Sequence, residues 1–288
     1  MIVFQIMGGL GNQMFQYAAA RALSLKRNIP FKIDFDDPYK FVQRKLSLDI
    51  FNLEVAIATK KELNKCKPKV RFEKRLWMLL GKDPSNRWFK EKKGFHFDPG
   101  FFECPDGTYV SGFWQAEQYF KDIEDIIRTD FQFSKQPSQE NTEWMKKIAG
   151  CNAVSIHVRR GDYITVSTTN QVHGACGPDY YAQAITSIAG LVNDPVFFFF
   201  SDDMNWVKEN IKTTYPSHYV DTNDDAHNYE DMRLMSLCKH HIIANSSFSW
   251  WGAWLNPSKE KKVIAPRRWM NDTSVDTTDL IPSSWIRI

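Results

Sequence analysis

Residues 2–35 read IVFQIMGGLGNQMFQYAAARALSLKRNIPFKIDF, and this stretch decides the fold class of the chain. The apolar run at 2–6 predicts a buried strand, and residues 7–13 predict a loop. Residues 14–27 are rich in Ala and Leu and end in cations, which favours a helix. Residues 30–35 predict a second strand. Strand, helix and strand in this order indicate a parallel sheet with helices packed on it, the α/β class.

The same alternation returns in the second half of the chain. Two Rossmann-like domains with parallel sheets facing across a cleft are therefore expected, over 1–150 and 151–288. The region 40–110 is less regular and more basic. The strands predicted after residue 100 are 109–114, 153–158, 196–200, 241–245 and 262–266. The helices predicted after the opening strand–helix–strand stretch are 59–66, 71–80, 116–128, 139–149, 178–190, 203–210 and 229–240.

Composition excludes several classes of protein. The formal net charge of +3 is too small to indicate nucleic-acid binding, although basic residues cluster at 60–75 and 87–93. These clusters predict a solvated face or a contact with anionic lipid or an acidic glycan. The five cysteines show no CxxC spacing, so a reducing compartment is expected. The N-terminus lacks signal-peptide character, and no apolar run reaches the ~20 residues of a membrane span. We expect a cytoplasmic location, with peripheral contact at the inner membrane surface left open.

The loop GGLGNQ, residues 8–13, follows the first predicted strand and opens the first helix. Gly9 and Gly11, with Asp34 at the end of the second strand, resemble a dinucleotide fingerprint and raise a nicotinamide-dependent oxidoreductase as one hypothesis. Met14 stands where that fingerprint has its third glycine. The alternatives are a tight turn, or a loop whose backbone approaches a ligand while Asn12 and Gln13 offer donors and acceptors.

The segment DFDD, residues 34–37, contains aspartates at the spacing that can hold a divalent metal under a nucleotide diphosphate. A solvated strand end is the favoured interpretation, because one such spacing among 34 acidic residues is weak evidence for a metal site. The motif therefore raises a metal-dependent sugar transferase as a variant and does not establish one.

HVRRGDY, residues 157–163, places Arg159 and Arg160 at the carboxyl end of a predicted core strand. Ligands bind beyond this edge in open α/β sheets, and guanidinium groups bind phosphates bidentately without losing their charge. The pair predicts a site for a diphosphate whose departure the charge would stabilise. The structural alternative is an ion pair between Arg160 and Asp162.

Two further strand ends carry polar residues towards the same edge. FFFFSDD delivers Ser201, Asp202 and Asp203, which can accept hydrogen bonds from a base or a ribose, or cap the next helix. IIANSSFSWWGAWLN delivers Asn245 and a serine-rich helix start that can bind an anion. Its tryptophans 250 and 254 lie one turn apart and are either core or a sugar platform. The three ends together predict a pocket for a nucleotide diphosphate without an obligatory metal.

HVRRGDY, FFFFSDD and NSSFSWWGAWLN, together with GGLGNQMFQYA, closely resemble glycosyltransferase family 11, the α1,2-fucosyltransferases, here of bacterial type. The similarity covers nearly the whole chain in the same order. It implies a GT-B fold, GDP-fucose as donor, a galactose-terminated glycan of bacterial surface polysaccharide as acceptor, inversion at the anomeric carbon and no metal cofactor.

The resemblance also implies roles for individual residues. The 1–150 domain would be the acceptor side and the 151–288 domain would bind GDP-fucose. Arg159 would contact the diphosphate, His157 and Asp202 would hold the guanine, and the loop carrying Asn12 would approach fucose and acceptor. Asp162 and Asp179 are the candidates for a base that activates the acceptor hydroxyl. The phosphates would be lined by Ser246, Ser247 and Phe248.

Besides this fucosyltransferase, with its linkage open, two hypotheses from other classes remain. A nicotinamide-dependent oxidoreductase predicts NAD binding but leaves Arg159 and Arg160 unexplained. A non-catalytic carbohydrate-binding module predicts glycan binding through the tryptophans, without any dependence on nucleotide.

Overall fold

The computed structural model describes residues 1–35, 45–53, 55–66, 88–92, 95–161, 174–272 and 274–288. These residues form two units, one of Met1–Ser134 with Thr277–Leu280 and the other of Lys135–Asp276 with Ile281–Ile288. The helix predicted at 71–80 lies outside the described residues. Among the described helices, none has the length and apolar character needed to cross a membrane.

The first unit contains a four-stranded sheet whose neighbouring strands are all parallel, as the opening stretch predicts. In spatial order the strands are β2, β1, β4 and β3. The strands are β1 (Ile2–Ile6), β2 (Phe31–Phe35), β3 (Trp88–Lys90) and β4 (Tyr109–Ser111), and the described α-helices are α1 (Leu10–Arg27), α2 (Lys60–Cys66) and α3 (Glu124–Asp130).

Helix α1 begins at Leu10, four residues before the start predicted from its Ala-rich part. The backbone N–H groups of Asn12 and Gln13 both donate to the carbonyl of Gly9, so the expected loop residues form the first helical turn. Met14 is fully buried in the core, so a bulky side chain fills the place where a dinucleotide site needs a third glycine. The N-terminal loop therefore does not meet the requirements of a dinucleotide fingerprint.

The second unit contains six parallel strands in the spatial order β10, β9, β8, β5, β6, β7. Counted within the unit, this is the Rossmann order, with its switch point between β5 and β8. The strands are β5 (Asn152–Val158), β6 (Pro195–Ser201), β7 (Ser217–Val220), β8 (His240–Ile242), β9 (Val263–Ala265) and β10 (Ile286–Arg287), and the described α-helices are α4 (Gln139–Ala149), α5 (Pro178–Ala189), α6 (Met204–Asn210), α7 (Tyr229–Leu237) and α8 (Ser247–Leu255).

The division between the units falls at Ser134, earlier than the predicted boundary at residue 150. Helix α4 explains the difference because its polar face is bonded to the second unit. The Trp144 indole N–H donates to the Thr222 hydroxyl at 3.0 Å, and the Asn141 amide donates to Asn223 at 2.8 Å. The helix therefore opens the second unit and does not close the first.

The tryptophans of α8 belong to the core of the second unit. Trp250 is fully buried and Trp254 is 2% exposed, and their rings stack with centroids 6.2 Å apart. Trp250 also contacts the rings of Trp251 and Trp285. No face of these indoles is open to a sugar, so the platform expected by the binding-module hypothesis is wrong.

A buried histidine joins α8 to the sheet. The Asn256 amide donates to Nε2 of His241 at 2.9 Å, so Nδ1 carries the proton and donates to the Ser155 hydroxyl at 2.8 Å. Both ring nitrogens are thereby satisfied while the ring is neutral. Burial, more than the nearby charge of Lys261, holds the pKa of His241 well below its usual value.

Candidate active site

The carboxyl ends of β5 and β6 meet at Asp202, as expected for adjacent strands. One carboxylate oxygen of Asp202 pairs with the Arg159 guanidinium at 2.8 Å, and the other accepts the backbone N–H of Arg160, also at 2.8 Å. A Cβ atom at Gly161 would lie 2.5 Å from the Asp202 carboxylate, so only glycine allows this close approach. The arginine and aspartate motifs found separately in the sequence therefore form one cluster.

The two adjacent arginines have different environments. Arg160 pairs with Asp203 at 3.1 Å and lies over the Trp206 ring, with its Cζ atom 3.8 Å from the ring centroid. Asp203 in turn caps helix α6 by accepting the Trp206 backbone N–H at 3.2 Å. Both arginines are thus paired, Arg159 with Asp202 and Arg160 with Asp203, but the Arg159 side chain is 30% exposed and that of Arg160 only 16%.

The structure therefore distinguishes roles that the sequence assigned jointly. An ion pair for Arg160 was the structural alternative, and Arg160 does pair with Asp203. The partner suggested by the sequence, Asp162, lies outside the described residues. Trp206 was not identified from the sequence, although its place three residues after Asp203 is the signal that could have found it.

His157 is the penultimate residue of β5 and brings a polar ring to this edge. Its ring is 6% exposed, its centroid lies 5.6 Å from that of Phe248, and its Nδ1 has no hydrogen-bond partner among the described residues. Burial, assisted by the charge of Arg159, lowers the pKa of His157 to about 3. A buried polar atom of this kind is normally paired, so a bound ligand is the natural partner for this neutral imidazole.

Helix α8 begins at Ser247, and Phe248 in its first turn contacts this ring. The Ser246 hydroxyl accepts the Phe248 backbone N–H at 3.3 Å and caps the helix. Ser247, in the first turn, is partly exposed, as is Phe248. A partly exposed helix N-terminus of this kind carries the positive end of the helix dipole, which can bind an anionic phosphate.

Asn245 acts as a brace at the end of β8. Its amide donates to the carbonyls of Gly174 at 2.9 Å and Trp269 at 3.1 Å, and its oxygen accepts the Cys176 thiol at 3.5 Å. The side chain predicted to bind the donor therefore ties two loops together. It also lines a cavity of about 280 Å³, whose other lining residues include Cys176, Tyr180, Arg267, Arg268 and Asn271.

Ser201, at the end of β6, also makes a hydrogen bond within the protein. Its hydroxyl accepts the Asp203 backbone N–H at 3.0 Å.

At the carboxyl end of β1 in the first sheet, the side-chain amide of Gln13 holds the following loop in place. Gly8 has a φ of +78°, which favours glycine, and Gly9 precedes the helix as its cap. Gln13 donates to the carbonyls of Gly8 and Lys45 and accepts the Ser47 backbone N–H, so it braces the loop and does not face a ligand. Gly11 is buried in the first helical turn, while Asn12 is partly exposed.

The metal and base hypotheses gain no support from the part of the chain that the structure describes. The Asp34 carboxylate accepts the Tyr109 hydroxyl at 2.7 Å, and the remaining aspartates of DFDD lie outside that part. Within the described ranges, no three His, Cys, Asp or Glu side chains are placed to hold a metal ion. Asp179 lies in the exposed first turn of α5, so its role as a base stays a prediction, as does that of Asp162.

Burial of two neutral histidines predicts a loss of stability in acid. The unfolded chain binds their protons near pH 6.5, whereas folded His157 does so only near pH 3 and His241 well below 6.5. The stabilisation that each buried neutral histidine gives the folded state is therefore fully present above pH 6.5. It is lost as the pH falls from 6.5 towards the pKa of the histidine in the folded protein. We expect the free energy of unfolding to fall by about 1.4 kcal/mol per histidine for each pH unit below 6.5.

Urea unfolding between pH 7.5 and pH 5 measures this dependence. The variant His157→Asn should show a shallower pH dependence than the wild type. An identical pH dependence in His157→Asn and the wild type would contradict the assignment.

Comparison with known proteins identifies one family and several related glycosyltransferases. A model described as Glycosyl transferase family 11 matches residues 1–288. Alpha-1,2-colitosyltransferase of Escherichia coli is 33% identical, with 100% of this chain and 98% of that protein aligned. O-antigen biosynthesis glycosyltransferase WbnK of Escherichia coli is 34% identical, with 98% of both aligned. Human galactoside alpha-(1,2)-fucosyltransferase 1 is 28% identical over 51% of this chain and 42% of its own length.

Among solved structures, NodZ alpha-1,6-fucosyltransferase of Bradyrhizobium, soaked with GDP-fucose, aligns with a TM-score of 0.51. The alignment covers 89% of this chain and 92% of that one at 14% identity. At this identity the likeness concerns the fold alone, and it confirms an α/β fold of the GT-B type with parallel sheets.

Proposed function

The chain belongs to glycosyltransferase family 11, and from this we propose that it is an inverting galactoside 2-α-L-fucosyltransferase. It would transfer L-fucose from GDP-β-L-fucose to the 2-hydroxyl of a terminal β-galactoside in a bacterial surface glycan. The observation that carries the proposal is the grouping of Arg159, neutral His157 and the α8 helix start at the switch point of the second unit. That position is where open α/β sheets bind nucleotides.

The donor would bind through three kinds of contact. The exposed part of the Arg159 guanidinium and the first-turn N–H groups of α8 would bind the diphosphate. The Nδ1 of His157, which has no hydrogen-bond partner in the described part of the chain, and the remaining lone pairs of Asp202 would meet the polar edge of guanine or a ribose hydroxyl. Arg160 and Asn245 would support this site indirectly by fixing the strand ends and loops around it.

The reaction would be a direct displacement. The acceptor hydroxyl oxygen forms a bond to the anomeric carbon of fucose while the bond from that carbon to the diphosphate oxygen breaks, and GDP leaves with the electron pair. Arg159 would stabilise the charge that develops on the leaving diphosphate. The hydroxyl proton would pass to a base, for which Asp162 and Asp179 remain the proposed candidates. No metal is part of this scheme.

The relatives support a 1,2 linkage and suggest a second donor sugar. Both the colitosyltransferase and the human relative are named for 1,2 transfer, and the human protein is named for a galactoside acceptor. Because a colitosyltransferase is similar over the full length, GDP-colitose is the alternative donor for the same site.

A cytoplasmic location with peripheral contact at the inner membrane surface remains part of the proposal, and cell fractionation tests it.

Thermal unfolding with GDP, GDP-fucose, GDP-colitose, UDP and NAD, each with and without EDTA, tests the donor class. At 100 times the dissociation constant a ligand stabilises by about 2.7 kcal/mol, which corresponds to a rise in Tm of roughly 5–10 °C. We expect this rise with the guanosine nucleotides only, with and without EDTA. A shift with NAD would support the oxidoreductase, and a shift that EDTA abolishes would support a metal-dependent transferase.

An acceptor assay then tests the reaction itself. Transfer to lactose or N-acetyllactosamine should give a product with fucose at the 2-position of galactose, as read from its NMR spectrum. Binding of GDP-fucose without transfer to any galactoside, or a product of another linkage, would contradict the specific activity proposed.

A further inference from the structure

We propose that the cavity beyond the carboxyl ends of β8 and β9 is a binding site for the phosphate group of a small anion. The cavity has a volume of about 280 Å³, and all of its described lining residues belong to the second unit. Its two arginines, Arg267 and Arg268, were singled out neither by the sequence motifs nor by the family resemblance. The proposal does not depend on which sugar the protein transfers.

The side chains that line the cavity are net positive. Arg267 and Arg268 follow β9 and are exposed, and no Asp or Glu is among the described lining residues. The Arg267 guanidinium forms no ion pair or hydrogen bond within the described part of the chain. The main-chain oxygen of Ile288, which also borders the cavity, accepts the Arg267 backbone N–H at 2.7 Å. Because guanidinium groups keep their charge, the lining favours an anion.

Arg268 is held in place by the loop that follows it. Its Nε donates to the carbonyl of Met270 at 3.3 Å, and its Nη2 donates to the carbonyl of Asn271 at 2.9 Å. A guanidinium has five N–H donors, so these two bonds leave others for a ligand. The planar group can bind two oxygens of one phosphate at once. Arg268 therefore offers an oriented donor and Arg267 a second, more adaptable one.

Helix α5 adds the positive end of its dipole to the cavity. The helix has 12 residues, and its N-cap residue, Gly177, lines the cavity and provides no side-chain cap. A Cβ atom at Gly177 would meet no described atom within 4 Å, so the space in front of the helix is open. Helix N-termini bind phosphates through the dipole and backbone N–H groups. Two arginines and a helix start together suit an anion with several oxygens and more than one charge, which indicates phosphate.

Hydrogen bonds within the protein hold the walls of the cavity. The Asn245 amide donates to the carbonyls of Gly174 and Trp269, so it ties the loop before α5 to the loop after β9. Gly174 has a φ of +65°, and a Cβ atom there would overlap the side chain of Asn271. Only glycine allows the two loops to meet so closely. The walls are therefore formed by contacts that need no ligand.

The deeper part of the lining is uncharged. The Tyr180 hydroxyl donates to the Ile243 carbonyl at 2.6 Å, and the Cys176 thiol donates to the Asn245 oxygen at 3.5 Å. Burial raises the pKa of Cys176 to about 11 and that of Tyr180 well above its usual value. Both groups are therefore neutral at physiological pH, and neither repels an anion held by the arginines.

Size and position indicate where the phosphate comes from. Pockets for drug-sized ligands have volumes of about 300–1,000 Å³, so this cavity suits inorganic diphosphate or a sugar phosphate better than a whole nucleotide. β8 lies between β9 and β5, and neighbouring strands are about 4.8 Å apart, so the end of β9 is about 10 Å from the end of β5, which carries Arg159. A separate small phosphate is thus the expected source. The diphosphate of a nucleotide sugar is the other source of the same chemistry.

Calorimetric titration with inorganic diphosphate tests the site. Wild-type protein saturated with GDP should still bind one diphosphate. Arg267→Ala should raise the Kd for diphosphate about tenfold, since a hydrogen bond to a charged group is worth at least that factor. Lys262→Ala removes a charge from the exposed opposite end of β9 and should leave the Kd unchanged.

The same titrations identify the source of the phosphate. If GDP displaces diphosphate and Arg267→Ala weakens the binding of both, the cavity holds the diphosphate of the nucleotide. An unchanged Kd for diphosphate in Arg267→Ala would overturn the proposal. This variant is expected to fold, because the exposed Arg267 guanidinium makes no bond within the described part of the chain.

Two replacements of Gly177 separate the effect of charge from that of loop structure. Gly177 has a φ of −80° and a ψ of 169°, the extended conformation of an N-cap, which Asp and Asn adopt about equally well. Both variants should melt no lower than the wild type. Gly177→Asp brings a negative charge to the cavity, so its Kd for diphosphate should be about tenfold above that of Gly177→Asn. Equal binding by the two variants would overturn the proposal.

These measurements distinguish the cavity from the proposed function. Wild-type protein that binds diphosphate in an Arg267-dependent manner, but neither binds GDP nor transfers fucose, would support the cavity and contradict only the proposed function. Fucosyl transfer by protein that binds no diphosphate through Arg267 would contradict only the cavity.

Discussion

Replacing Arg159 with alanine is expected to lower kcat/KM for fucosyl transfer by about 10³-fold. Each of the two arginines is paired with an aspartate, but the Arg159 guanidinium belongs to the more exposed side chain, while Arg160 is also covered by the Trp206 ring. Its loss would leave the departing diphosphate without its main cationic partner. Asp202 would keep its bond from the Arg160 backbone N–H, so the strand ends should remain in place.

Two matched variants test whether activity depends on the guanidinium group of Arg159 or only on a positive charge. Arg159→Lys keeps a cation but cannot bind bidentately, so its activity should fall between those of wild type and Arg159→Ala. Lys239→Ala removes the same charge from the exposed amino end of β8, where the amine is bonded to Asn152, and should retain full activity. Steady-state kinetics and the thermal shift with GDP measure the effect. Arg159→Ala with wild-type kcat/KM and an unchanged melting curve would refute the assigned role.

Replacing Trp250 with alanine is expected to lower the free energy of unfolding of the second unit by about 3–5 kcal/mol. The side chain is fully buried and packs against three other indoles, at positions 251, 254 and 285, so its removal creates a cavity that the neighbours fill poorly. Urea unfolding followed by circular dichroism measures the change. Trp250→Phe should cost less, because part of the volume is kept.

Trp88 provides the control for this prediction. Its ring is 37% exposed on β3, and its N–H is bonded to Ser111 at 2.7 Å. Trp88→Ala should therefore lower stability much less than Trp250→Ala. Loss of glycan binding in Trp250→Ala with unchanged stability would instead favour the sugar-platform reading of the α8 tryptophans.

How far the fold could be predicted depended on the length and apolar character of each element. β1, α1, β5 and β6 are long or strongly apolar, and the sequence predicts all four. β3, β7 and β10 were missed, because they are short and carry exposed or half-exposed residues. Such strands form because a neighbouring strand provides their hydrogen bonds, and that neighbour is not visible in a local pattern.

For the candidate site, the sequence predicted which strand ends carry its polar residues, but not the partner of each side chain. Apolar runs that end in HVRRGDY and FFFFSDD place charged residues at the carboxyl edge of a parallel sheet, and Arg159 and Asp202 do meet there. The sequence did not distinguish Arg159 from Arg160, because both have the same side chain at adjacent positions. Their different partners come from helix α6, which supplies Asp203 as its cap and Trp206 in its first turn.

The sequence by itself therefore determined the α/β class, the parallel sheets and the sheet edge at which Arg159 and Asp202 meet, since periodicity and the order of the elements can be read along the chain. Only the tertiary structure decided which polar side chains remain available at that edge. Gln13 and Asn245 hold loops in place, and the Asn12 side-chain oxygen accepts a hydrogen bond from Gln115, which is 103 residues away in sequence. The physical reason is that a buried amide must satisfy its donors and acceptors, and its partners are known only once the strands have been brought together.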